Sequence, residues 1–124
     1  MTSPLALCCF ENLVVGNQLI NRLQDLGYRV HVSGDARELV SLAVRQRPFL
    51  VVTDLGCQSA DICRVISELR QNSKTSHLPI LAFAPPDAGS LMEAAHSAGA
   101  TLVVVEVGLL QQLPELLDQV LQVE

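Results

Sequence analysis

Five residues stand at or just beyond the ends of short apolar runs: Phe10, Glu11, Asp54, Ala84 and Glu106. Three of them, Glu11, Asp54 and Glu106, are carboxylic acids. If folding gathers these run ends, Glu11 and Asp54, with a loop carbonyl from Gly56, form an oxygen set suited to a weakly held hard divalent cation. Three acids brought together without a countercharge also raise the pKa of at least one of them. Such perturbed acids mark working clefts and solvated relic geometry alike.

Other chemistries find less support. Cys8, Cys9, Cys57 and Cys63 lack the C-x-x-C pairing of a zinc site. Cys8 and Cys9 read as small core residues, whereas Cys57 falls in a loop and is the thiol to test as a redox sensor. His31, His77 and His96 are scattered and read as surface or helix histidines. No Ser-His-Asp or Cys-His arrangement can be placed at the run ends, so no enzymatic activity is expected. The turn after the first run has no Gly before Gly16, which disfavours a phosphate cradle for a nucleotide or flavin.

The elements that must position these residues alternate in type. Leu5–Phe10, Tyr28–Val32, Phe49–Val52, Pro79–Ala84 and Thr101–Val105 read as strands, the second with the polar alternation of an edge. Between them lie helical stripes. Asn12 caps one closed by Gly27, Asp35 opens one stopped by Pro48, and Ser59 and Asp61 start a third. Asp87–Ala98 is a fourth, closed by Gly99, and Leu109 to Leu121 mark a single final helix with Pro114 in its first turn. Five strands alternating with five helices predict an α/β fold, a doubly wound parallel sheet with helices on both faces. Sites in such sheets form at the carboxyl ends of strands, where the five run-end residues fall.

Composition narrows the class further. The chain has 124 residues, 49% hydrophobic and 3% aromatic, with net charge −5, which suits one domain over residues 1–124 with an aliphatic core. Lys74 is the only Lys and no basic residue follows it, so residues 75–124 carry −6. Nucleic-acid binding and a basic membrane-surface helix are disfavoured by that balance. The longest apolar stretch is far short of a membrane span, and no secretory signal is evident, so a cytoplasmic protein is expected.

In order and separation, these segments resemble the receiver domain of response regulators. Leu23–Tyr28 is similar to the end of that family's first helix, and Pro48–Leu55 (PFLVVTDL) to its P-D-L-V-L-L-D-L run. Thr75–Ala82 and Ala94–Ala100 fit its fourth strand and fourth helix. The resemblance implies a flavodoxin-like sheet with strand order 2-1-3-4-5. It puts Asp54 on the phospho-accepting position and Glu11 on the second acid of the Mg²⁺ pair. Phe10 replaces the first acid, Ala84 the hydroxyl residue, Glu106 the Lys that pairs with the aspartyl phosphate, and Val107 the following Pro.

These replacements predict a degenerate member. A carboxylate where a cation is needed turns an attraction of roughly 4 kcal/mol at about 4 Å into a repulsion of similar size. The expected function is therefore signalling through protein contacts, independent of aspartyl phosphate and needing no cofactor. The alternatives are a divergent regulator phosphorylated on Asp54 and a redox sensor using Cys57. The resemblance also implies a partner or homodimer face on the fourth helix, fifth strand and last helix. On the last helix, Leu109, Leu110, Leu113 and Leu117 form a stripe that predicts an exposed contact.

Overall fold

The computed structural model describes residues 4–122. Its elements are β1 (Leu5–Cys9), α1 (Leu13–Asp25), β2 (Arg29–Ser33), α2 (Leu39–Gln46, after a 3-10 turn at Ala36–Glu38) and β3 (Leu50–Asp54). They continue with α3 (Ile62–Gln71), β4 (Ile80–Ala84), α4 (Gly89–Ala98), β5 (Leu102–Val105), α5 (Glu106–Gln111) and α6 (Leu113–Gln122). All five strands are parallel, in the order β2-β1-β3-β4-β5. That is the expected doubly wound sheet. The expected span of 1–124 reaches beyond the described residues at both ends.

Local chemistry starts the helices where the sequence places them. Asn12 Oδ1 accepts the Val14 N–H at 3.0 Å, and Asp61 Oδ1 accepts those of Cys63 and Arg64 at 3.1 and 3.4 Å. Each carboxylate or amide oxygen satisfies N–H groups that the first helical turn leaves unpaired. Asp35 does the same for Arg37 at the turn before α2. At the far end of α1, Gly27 turns the chain with φ 95°, a conformation that glycine adopts without a Cβ penalty.

Side chains alternate across the sheet and divide the interior in two. Ala6, Cys8, Leu50, Val52, Leu81 and Phe83 pack under α1, α5 and α6. Leu7, Cys9, Val51, Ile80, Ala82 and Ala84 pack under α2, α3 and α4. The adjacent Cys8 and Cys9 therefore lie in different cores, buried as their apolar run suggests.

The final helix differs from expectation. The chain turns helical at once after β5, breaks at Gln112, and resumes as α6. Pro114 explains the break, because it has no N–H and its ring would clash with the Leu110 carbonyl inside a continuous helix. The exposed leucine stripe is also corrected. Leu109, Leu113 and Leu117 are 0%, 0% and 4% exposed and belong to the core, while Leu110 is half-buried. Five strands about 4.8 Å apart span roughly 19 Å, which two helices about 10 Å wide must cover. On this face those two are α1 and the α5–α6 pair, so the stripe is consumed by the sheet.

Candidate functional site

The carboxyl ends of β1 and β3 bring Glu11 and Asp54 together. Glu11 follows the end of β1, and its carboxylate reaches across to the loop after β3. Its two oxygens accept the backbone N–H groups of Gln58 and Ser59 at 2.9 and 3.0 Å. Those bonds hold its pKa below the ordinary Glu value. Ser59 in turn accepts the Ala36 N–H at 2.9 Å, so one polar chain joins β1, the β3–α3 loop and the turn before α2. Asp54 is half-buried at the end of β3, with Oδ1 accepting the Gly56 N–H at 2.8 Å. Burial pushes its pKa up, against the Gly56 bond and with a smaller contribution from the Glu11 charge.

Glu106 follows β5 directly and opens α5, where a carboxylate meets the positive end of the helix dipole. No group of three acids, thiols or imidazoles able to hold a metal forms among the described residues. Of the donors nominated for a cation, both Glu11 oxygens accept backbone N–H groups, Asp54 Oδ1 accepts that of Gly56, and the Gly56 carbonyl accepts Gln58 Nε2–H at 3.1 Å. Each of these oxygens keeps a lone pair, and a hard cation there would share the oxygens with the N–H donors or displace those bonds.

Phe10 lies next to Glu11 but turns inward, buried beneath α1. Gly16 lies inside α1, and a Cβ there would overlap the Phe10 ring, so it is a packing residue that leaves α1 room to pass over Phe10. Ala84 is fully buried at the end of β4, and Val107 is 60% exposed on α5. Cys57 lies in the loop between β3 and α3, as expected, yet is buried there, with its Sγ 3.9 Å from that of Cys9 and its pKa raised. Residue spacing missed Cys9, Thr53 and Ser59. Only the pairing register, which sets Cys9 opposite Thr53, brings the first two together.

Solved structures of receiver domains superpose along nearly the whole chain. The chemotaxis response regulator CheY4 of Vibrio cholerae matches at TM-score 0.84 and 22% identity, over 96% of this chain and 99% of that one. The chain has the receiver fold. The receiver domain of a sensor histidine kinase from Pseudomonas aeruginosa, which has a magnesium ion coordinated in its active-site cleft, matches at TM-score 0.88 and 22% identity, covering 98% and 100%. The signal receiver domain of a modulated diguanylate cyclase from Desulfovibrio desulfuricans matches at 0.81 and 19%, covering 97% and 94%. No family model and no curated protein matches the sequence. Against the receiver fold, the expected strand order and the placement of Glu11 and Asp54 at adjacent strand ends hold. Among the described residues, no helix is long and apolar enough to cross a membrane.

The raised pKa of Asp54 has a thermodynamic consequence. A carboxyl that binds its proton more tightly folded than unfolded weakens the fold once it ionises. Stability is therefore lost as pH rises from the unfolded pKa through the folded one, and is flat above it. Asp54→Asn keeps the oxygen that accepts the Gly56 N–H. It is expected to raise Tm at pH 7 and to leave Tm unchanged near pH 3, below the unfolded pKa. Thermal unfolding at the two pH values checks this. A variant less stable than wild type at pH 7 contradicts it.

Proposed function

We propose that this chain is a receiver-fold signalling module that works through protein contacts, without enzymatic activity and without a phosphoryl group on Asp54. The surroundings of Asp54 carry the reading. Its carboxylate meets the Gly56 N–H and the Glu11 charge, and no Lys or Arg forms an ion pair with it among the described residues. Phosphoryl transfer concentrates negative charge that positioned cations must stabilise. Glu106, in the position where the resemblance implies the pairing Lys, supplies a negative charge instead. The buried Ala84 offers no hydroxyl, and Phe10 has turned from the cleft into the core.

Such a module needs a contact surface rather than a cofactor. At the carboxyl edge of the sheet, Leu13 and Val14 on α1 and Val107 on α5 are 66%, 70% and 60% exposed, on helices that touch one another. They offer the apolar part of a contact with a protein partner or a second copy. The −6 charge of residues 75–124 favours basic groups on a hetero-partner and argues against nucleic acid.

Incubation with acetyl phosphate and Mg²⁺, followed by intact-mass measurement, tests the reading. No gain of a phosphoryl group is expected, and beryllofluoride is expected to leave the amide NMR spectrum of β5 unchanged. A stoichiometric gain that disappears in Asp54→Asn would overturn the proposal in favour of a phosphorylatable regulator.

A further inference from the structure

We infer that Cys9 and Cys57 form an oxidisable dithiol, at which a small hydroperoxide converts the two thiols into a disulfide tying the loop after Asp54 to the end of β1. The inference stands independently of the reading of Asp54, since it concerns only the two sulfurs.

Three observations converge on it. The Sγ atoms lie 3.9 Å apart although the residues are 48 positions apart in sequence. Both thiols belong to the same core, at 1% and 6% exposure, which keeps water out from between the sulfurs. Thr53, paired with Cys9 across the sheet, is fully buried and its hydroxyl has no hydrogen-bond partner among the described residues. A buried hydroxyl without a partner is rare enough to need a reason. Here it sits beside a sulfur, as a donor for an incoming or departing oxygen.

The environment also distinguishes the two sulfurs. In their contact either sulfur can donate, but Cys9 stands on β1, opposite Thr53 in the sheet, whereas Cys57 stands in the loop between β3 and α3. That division gives one nucleophile and one resolving thiol. The Cys9 sulfur attacks the terminal peroxide oxygen, forming an S–O bond and breaking the O–O bond. The departing hydroxide of hydrogen peroxide, or the alkoxide of an alkyl hydroperoxide, takes the Cys9 proton and leaves as water or the alcohol. The Cys57 sulfur then attacks Cys9 Sγ. The S–S bond forms, the S–O bond breaks, and hydroxide leaves with the Cys57 proton as water. Two cysteines lose two electrons, and one peroxide gains them. Closing from 3.9 Å to the roughly 2.05 Å of a disulfide draws the β3–α3 loop toward β1.

The other two thiols serve as internal controls. Cys8 faces the opposite core with its pKa pushed up to about 12, and Cys63 is half-buried on α3 with a raised pKa. The full chain is titrated with hydrogen peroxide at neutral pH, alkylated, digested and mapped by mass spectrometry. The expected product has lost two hydrogens, carries a Cys9–Cys57 link, leaves Cys8 and Cys63 alkylated, and reverts with dithiothreitol. The Cys8→Ala/Cys63→Ala variant is expected to give the same link, and Cys57→Ser to stop at a dimedone-trapped sulfenic acid on Cys9. Four alkylatable thiols after excess peroxide, or oxidation confined to Cys63, would overturn the inference. Should Cys57→Ser not fold, the wild-type map alone decides.

Discussion

Leu117→Glu is expected to abolish cooperative folding, whereas Leu110→Glu, seven residues earlier in the same apolar stripe, is expected to cost only a few degrees of Tm. Leu117 is 4% exposed and packs in the core between α6 and the sheet. Truncating such a leucine alone costs about 2–5 kcal/mol. A carboxylate in its place must also be desolvated inside an apolar cluster. A domain of this size holds roughly 5–15 kcal/mol in total, so the sum consumes most or all of it. Leu110 is only half-buried, and a glutamate there can turn its carboxylate to water. Circular dichroism melts of the two variants read the difference. If Leu117→Glu melted like wild type, the leucine would be a surface residue and the two-core description of the sheet would be wrong.

That contrast shows where sequence reading stops. Strand and helix order, caps at Asn12, Asp35 and Asp61, and the carboxyl-edge placement of Glu11 and Asp54 are legible because each depends on near neighbours in sequence or on period-two and period-3.6 patterns. The fate of Leu109, Leu113 and Leu117 depends instead on how wide a sheet two helices must cover, which no local pattern encodes. Pro114 gave the position of a helix start, but not the second helix before it. Cys57 falls in a loop, as its turn-forming neighbours in sequence suggest, but its neighbour in space is Cys9, 48 positions away. In each case the missing information is a long-range contact.

Arg70 is the clearest such contact, and its replacement is the second large effect expected. From α3 its guanidinium donates Nε–H to the Gly99 carbonyl at 2.7 Å and Nη1–H to the Ser76 and Leu78 carbonyls at 2.9 and 2.6 Å. Nη2–H goes to Thr101 Oγ1 at 2.8 Å, and that same oxygen accepts the Ile80 N–H at 3.0 Å. One side chain thus fastens α3 to both loops that feed β4 and β5. Removing it leaves several polar groups to find water, and part-buried ones do so at a cost of about 1–3 kcal/mol each. Loop relaxation recovers some of that, so Arg70→Ala is expected to lose about 3 kcal/mol, and Arg70→Lys most of the same because a single ammonium cannot reproduce the planar fork. Gly99 gives a second handle. It holds φ 121°, and a Cβ there would press on the Arg70 stem. Gly99→Ala therefore carries a backbone cost and a collision cost in the wild type, but only the backbone cost once Arg70 is alanine. Chemical denaturation of the four members of this cycle measures the coupling. Additive losses, or an Arg70→Lys variant as stable as wild type, would show that the fork is not what joins α3 to these loops.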